Sequence, residues 1–248
     1  MTADILGIRF DGLTVDEAVE RALALISARQ VAYVCTPNPE IVWAARKNSA
    51  LRGAIEGAAM TLPDGVGVVW ASKVLGFPLP ERVSGYDLLL ALLARFQGTV
   101  FLLGGRPGVA ERAAGAIKKQ FPAVTVAGCH DGYFEDGEAV LQAVSYAAPD
   151  MVLVCLGSPR QELWMAQNAR GAELPPCLMM GLGGSLDVLA GDVSRAPESW
   201  RRAGLEWLYR LLHDPRRLKR QLCLPLFVGA VLLQRIKKRG SKEPQGQG

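Results

Sequence analysis

The sequence predicts an α/β fold: a Rossmann-like, mostly parallel sheet covered by helices, carrying a helical C-terminal appendage suited to a membrane surface. Three observations predict it. Short apolar runs alternate with segments of helical length over residues 1–194. The runs are apolar throughout rather than at every second residue, as strands covered on both faces must be. Beyond residue 194 the chain turns basic and amphipathic.

The elements follow in order. Ile5–Phe10 reads as an added edge strand, and Thr14-Val-Asp-Glu17 as a capping box opening a helix to about Arg29. Strands are expected at Val31–Cys35, Ala58–Leu62, Thr99–Leu103, Val124–Ala127, Met151–Leu156 and Cys177–Met180. Helices are expected from Pro39 to about Gly57 and over Tyr86–Phe96, Gly108–Gln120, Gly137–Ala147 and Pro159–Ala169. The chain is therefore expected to divide into an α/β domain over 1–194, the part able to carry a catalytic site, a basic appendage over 195–240, and a polar, Gly-rich, disordered tail over 241–248.

Charge is divided unevenly. Residues 195–248 hold 13 Lys+Arg against 4 Asp+Glu, whereas residues 1–194 hold 15 against 20. A basic end on an acidic body points to an anionic partner. The same end contains the apolar run Leu222–Leu233, followed by Arg235, Lys237, Lys238 and Arg239. Nucleic acid would account for the charge but not for the apolar run, and the few aromatics advertise no stacking platform for bases. An anionic membrane surface accounts for both. The run is too short for a spanning helix, which needs about 20 apolar residues, and it contains Pro225. The N-terminus lacks the basic start and apolar stretch of a signal peptide, so a cytoplasmic, peripheral location is expected. The five cysteines form no C-x-x-C pair and read as reduced; the two histidines have no ligand-spaced companions, so no metal site is expected.

Ligands of open α/β sheets sit beyond the carboxyl ends of the strands. Here those ends carry Thr36-Pro-Asn38, Pro63-Asp64-Gly65, Gly104-Gly105, Asp131-Gly-Tyr133, Gly157-Ser-Pro-Arg-Gln161 and Gly181 to Asp187. The clustering of glycines and polar groups marks a candidate active site, although each member also suits a structural part. Asp64 is placed either as a general base or as the N-cap of a following helix. Thr36 and Asn38 suit either a phosphate or sugar, or a turn with Asn38 as cap and Pro39 at the first helical position. Ser158-x-x-Gln161 fits a capping box, and Arg82 fits a solvated surface position. Gly65-x-Gly67 is a weak dinucleotide match, because Trp70 stands where a third glycine is needed. The sequence contains no Asp-x-Asp and no Gly-x-Ser-x-Gly. A leaving diphosphate would then need arginines and helix N-termini in place of a metal. Arg210, Arg217 and Arg220 are spaced to share one face of an unbroken helix, but Asp214-Pro215 reads as the start of a new one.

These motifs together resemble the WecG/TagA/CpsF family of bacterial glycosyltransferases over about residues 3–222. The match rests on Thr36-Pro-Asn38, Pro63-Asp64-Gly65-Val-Gly67, Glu81-Arg82-Val-Ser-Gly85-Tyr-Asp87 and Gly157-Ser-Pro-Arg-Gln161-Glu162. It rests above all on Gly183-Gly-Ser-Leu-Asp187-Val-Leu-Ala-Gly191 through Arg195-Ala-Pro197 to Gly204-Leu-Glu-Trp-Leu-Tyr-Arg210-Leu. The resemblance implies an inverting, metal-independent transferase without cofactor. It would move a sugar, N-acetylmannosamine in the best-studied branch, from a UDP-sugar donor to N-acetylglucosaminyl-diphospho-undecaprenol, the linkage unit of wall teichoic acid. The base falls on Asp64, groups near the sugar on Thr36 and Asn38, and a loop arginine on Arg82. Nucleotide-lining residues fall on Tyr133, Gln161 and Asp187, with Gly104 and Gly157 at the strand ends. An appendage that closes over the site and touches the membrane falls on about 195–240, with Arg210, Arg217 and Arg220. Ser185-Leu186 departs from the bulkier Phe that many members carry before the Asp. Another donor, such as the corresponding uronic acid, for a different surface polysaccharide remains open at this stage. So do a nicotinamide-dependent oxidoreductase and a non-catalytic membrane adaptor. An apolar patch on the core beneath the tail would pair subunits into a homo-oligomer, and removal of everything beyond Gly191 is expected to leave a soluble, inactive core.

Overall fold

The computed structural model of the chain describes residues 2–214 and 218–240, the surroundings of residues 210, 219, 220, 239 and 240 excepted. The expected tail at 241–248 lies outside the described residues. The chain opens with β1 (Thr2–Ile5) and β2 (Ile8–Asp11), α1 (Val15–Ser27), β3 (Ala32–Cys35), α2 (Pro39–Ala45), α3 (Ser49–Glu56), β4 (Met60–Thr61) and α4 (Val66–Val74). It continues with α5 (Gly85–Leu93), β5 (Gly98–Gly104), α6 (Val109–Gln120), β6 (Val124–His130), α7 (Gly137–Ala147), β7 (Met151–Cys155), α8 (Arg160–Arg170) and β8 (Leu178–Gly181). Short helices α9 (Ser185–Leu189), α10 (Glu198–Arg202), α11 (Glu206–His213) and α12 (Leu218–Gln221) lead to the long α13 (Cys223–Gly240).

Six strands form one parallel sheet in the order β4-β3-β8-β7-β5-β6. Successive side chains point to opposite faces of a strand, and both faces are buried. Val34, Leu102, Leu153 and Met180 enter a cluster with residues of α1, α5, α6 and α9. Their neighbours Tyr33, Leu103, Val152 and Met179 enter another with residues of α3, α7 and α8. Two-sided burial is why these strands read as unbroken apolar runs.

The expected edge strand is corrected. Ile5–Phe10 does not join the main sheet. It is split at Leu6-Gly7, both with positive φ (53° and 87°), and β1 and β2 pair antiparallel as a separate hairpin. Alternation supplies the reason: Ala3, Ile5, Ile8 and Phe10 are buried and the residues between them face outward, as in a hairpin covered on one side. The single helix expected from Pro39 to Gly57 is two, α2 and α3. Asn48 breaks it by adopting extended backbone and accepting a hydrogen bond from the Leu51 amide at 3.0 Å.

The hairpin, α2, α3 and α4 form a third apolar cluster, and α13 completes it with Phe227 and Val231, 1% and 0% exposed. Gln234, on the same face of α13, accepts from the Leu6 amide (3.0 Å) and donates to the Asp4 carboxylate (2.9 Å). Pro225 falls in the first turn of α13, where its missing N–H interrupts no helical bond. The apolar run of the tail is thus partly a packing surface that seats α13 on α2 and α4.

Candidate active site

A cavity of about 410 Å³ opens beyond the carboxyl ends of β4, β3, β8 and β7 and is roofed by α11, α12 and α13. Thr36, Asn38, Asp64, Arg82, Gly157 and Gln161 line it together. Residues up to 125 positions apart in sequence meet because the parallel sheet brings four strand ends side by side. Its apolar walls include Trp70, Tyr86, Leu182, Trp207 and Phe227.

Asp64 follows β4 but does not cap α4. Gly65 holds that position with φ of 91°, a left-handed backbone open to glycine, and no side chain caps the helix. The capping reading of Asp64 is therefore corrected. Asn38 does cap α2, accepting from the Ile41 amide at 3.0 Å with Pro39 at the first helical position, while also lining the cavity. The Thr36 hydroxyl donates to the Gly181 carbonyl at 3.2 Å and so ties the ends of β3 and β8.

The capping box read at Ser158-x-x-Gln161 is not formed. Pro159 stands at the start of α8 with no side-chain cap. The Gln161 side chain instead accepts from the Gly183 amide (2.9 Å) and donates to the Glu162 carboxylate (2.9 Å), and Ser158 also bonds Glu162. Glu162 is only 2% exposed, and its Oε2 has no partner among the described residues. Burial raises its pKa, and the bonds from Gln161 and Ser158 offset only part of that.

Arg82 is not a freely solvated surface residue, contrary to the surface reading, but is partly buried and paired. Its guanidinium donates to Glu206 at 3.0 Å and to Asp87 at 3.2 Å, and its side chain is 21% exposed. Desolvation disfavours its charge, but Glu206, Asp64 and Asp87 outweigh that and hold it on. Arg195 donates to the other Asp87 oxygen at 2.5 Å and lies over the Tyr86 ring. Burial works against ionisation of Asp87, yet the Ser84 hydroxyl with Arg195 and Arg82 brings its carboxyl below the ordinary value. Two residues beyond position 194, Arg195 and Glu206, are thereby clamped to the mouth of the sheet.

Three expected site residues do not line the cavity. Gly104 and Tyr133 follow β5 and β6, which lie beyond β7 in the sheet. Gly104, with φ of 135°, is glycine because a Cβ would fall 2.3 Å from the Cys155 carbonyl oxygen; Tyr133 is 72% exposed. Asp187 sits half-buried in the first turn of α9, its carbonyl accepting from the Asp192 and Val193 amides. Arg217 and the side chains of Arg210 and Arg220 lie outside the described residues. Sequence reasoning passed over Glu206 and Gln221, which both line the cavity. Gln221 is 7% exposed, and its Oε1 has no partner among the described residues. Among these residues no group of three or more His, Cys, Asp or Glu is placed to hold a metal ion.

The family model described as "Glycosyl transferase WecG/TagA/CpsF family" matches residues 3–241. The chain belongs to this family. A protein of Bacillus spizizenii is 39% identical over 220 residues, covering 88% of this chain and 84% of its own length. One of Bacillus subtilis is 37% identical, covering 84% and 82%, and one of Staphylococcus aureus is 34% identical, covering 96% and 95%. All three are named N-acetylglucosaminyldiphosphoundecaprenol N-acetyl-beta-D-mannosaminyltransferase. The chain is thus a glycosyltransferase, and the oxidoreductase and adaptor readings fall away. In this glycosyltransferase residues of all the motifs that carry the family resemblance converge on the cavity: Thr36 and Asn38, Asp64 and Gly65, Arg82 and Gly85, Gly157 and Gln161, Gly183 to Ser185, and Glu206.

Proposed function

We propose that this glycosyltransferase moves N-acetylmannosamine from UDP-N-acetylmannosamine to N-acetylglucosaminyl-diphospho-undecaprenol, the step that its relatives are named for, in making a teichoic acid linkage unit. The observation that carries the reading is the convergence of a carboxylate, Asp64, and a guanidinium, Arg82, on one cavity at the mouth of the sheet.

The reaction is a single displacement. Asp64 takes the proton of the acceptor hydroxyl as that oxygen attacks the anomeric carbon from the face opposite UDP, so the centre inverts. Asn38 and Thr36 hold the sugar, and the strand end at Gly157, with Gln161 shaping the loop beside it, binds the nucleotide side. Arg82 faces the charge that develops on the leaving diphosphate, and Arg210, Arg217 and Arg220 join it from the appendage, which makes a metal unnecessary. Tyr133 and Asp187 would serve a longer nucleotide path along the strand ends, and Gly104 shapes the backbone there. In this reading the enzyme works peripherally on the inner face of the cell membrane, which a lipid-linked acceptor supports. In keeping with this, no helix among the described residues is long and apolar enough to cross a membrane.

The test is incubation with a panel of UDP-sugars and a lipid-diphosphate acceptor bearing N-acetylglucosamine, with the product mass measured, in the presence and absence of a chelator. Addition of one N-acetylhexosamine from the manno donor alone, unaffected by chelator, is expected. Replacing Asp64→Asn should lower turnover by about 100-fold or more with an unchanged circular dichroism spectrum; retained turnover would reassign the base.

A further inference from the structure

A second concavity lies on the far side of α13. It is a groove of about 1300 Å³ between α13, the C-terminal end of α4, the end of α2 and the Leu6-Gly7 turn. Its apolar lining includes Trp43, Leu75, Phe77, Leu226 and Leu233, of which Phe77, Leu226 and Leu233 are 42%, 57% and 60% exposed. Its cations are Arg46, Lys73, Arg235, Lys237 and Lys238, and no Asp or Glu is among its described lining residues. Two of the cations lie over aromatic rings: Arg46 is 4.6 Å from the Trp43 centroid and Lys238 is 4.8 Å from that of Phe77. Arg46, Lys73, Trp43 and Phe77 come from the α/β core, so the groove does not belong to the appendage alone.

We infer that this groove holds an anionic phospholipid of the bilayer, its phosphate among Arg46, Lys73 and Lys238 and the upper part of its acyl chains against Trp43, Phe77 and Leu226. Charge complementarity selects this occupant. An acidic protein surface would satisfy the cations but leave Leu226 and Leu233 without apolar cover, and a zwitterionic lipid would leave the cations without net counter-charge. An amphiphile with a negative head satisfies both. Because α13 also walls the catalytic cavity through Leu224, Phe227 and Val228, a lipid bound here fixes the cavity mouth beside the bilayer surface. The inference deepens the membrane part of the proposed function and rests on it.

The test is flotation of the full chain with vesicles of phosphatidylglycerol and phosphatidylcholine, against pure phosphatidylcholine. The double variant Arg46→Ala/Lys73→Ala should partition into the anionic vesicles at least tenfold more weakly than wild type, each cation near the surface being worth about a fivefold change. The control Lys118→Ala/Lys119→Ala loses the same charge from exposed positions on α6 and should bind as wild type. Brominated acyl chains should quench tryptophan emission, less so in Trp43→Phe. Equal losses in the two double variants would mean adsorption by net charge and overturn the site; so would undiminished binding of Arg46→Ala/Lys73→Ala. A lipid-free dimer abolished by the same two substitutions would give the groove to a second copy instead. Turnover on a water-soluble short-chain acceptor should be the same for Arg46→Ala/Lys73→Ala and wild type. Absence of turnover in wild type would sink the catalytic reading while leaving the vesicle result standing.

Discussion

Glu162 shows how a buried residue sets the shape of the site without lining it. Through Gln161 and Ser158 its carboxylate joins the loop after β7 to the loop after β8. A carboxyl whose pKa is raised on folding stabilises the protein fully below its unfolded pKa. That stability is lost as pH rises through the folded value. Wild type should therefore lose stability as pH rises above 4.5, the ordinary value, and Glu162→Gln should not, which thermal melts across pH will read. Glu162→Gln still offers Gln161 an acceptor, so its KM should stay within about threefold of wild type; Glu162→Ala removes the acceptor and should raise KM about fivefold or more. Equal melting profiles for wild type and Glu162→Gln would remove the carboxyl from this account. The motif Gly157-Ser-Pro-Arg-Gln161-Glu162 was legible in the sequence, but its bonding was not. A capping box is a local pattern, whereas Gln161 chose a partner 22 residues away, on a loop that only the β7–β8 pairing brings near.

The connection from α9 to α11 is held to the core by the Arg82–Glu206 and Arg195–Asp87 pairs, which the Arg82–Asp87 pair joins into one network. Asp87 has a pKa below its ordinary 3.8. Such a carboxylate stabilises the fold above the unfolded value and ceases to as pH falls through the folded one. Asp87→Asn should therefore destabilise the protein at neutral pH by about 1 kcal/mol, a partly exposed pair being screened. The deficit should shrink as pH drops below 3.8; a deficit that stays constant with pH would mean that packing, not charge, is responsible. Cleavage between α9 and α11 by a dilute protease should also be faster in this variant at neutral pH. The sequence displayed the strands well, because a strand buried on both faces has no polar pattern to confuse it. It hid strand order, and strand order decides which ends share a cavity: β5 and β6 lie past β7, so Gly104 and Tyr133 stand apart from Asp64. Glu206 went unread as a site residue because its partner Arg82 is 124 positions away.

For the whole molecule, the placement of α13 changes what truncation should do. Its charge and apolar run announced a surface-seeking tail, and nothing local distinguished Phe227 and Val231 from Leu226 and Leu233. The buried pair is assigned by the hairpin and α4, which lie more than 150 residues upstream. Each of the two buries apolar area worth about 1.5–3 kcal/mol. A chain ending at Gly191 would uncover Ile41, Val42, Val68, Ala71 and Leu75 together with the cavity mouth. The soluble core expected from sequence should instead self-associate, which sedimentation velocity will show, and be inactive. A monomeric, active fragment would mean that the appendage serves only as an anchor. The same uncovered face is where a homo-oligomer would form if α13 lifted away.

Helix α13 is a party wall, with the reaction chamber on one side and the cationic groove on the other. A drug-like acid wedged into the groove would press on Phe227 and Val228 from behind. An acid that slowed transfer from there would compete with neither sugar donor nor acceptor, and rising substrate would not rescue the rate. Screens that look only for displacement of bound nucleotide would overlook such compounds.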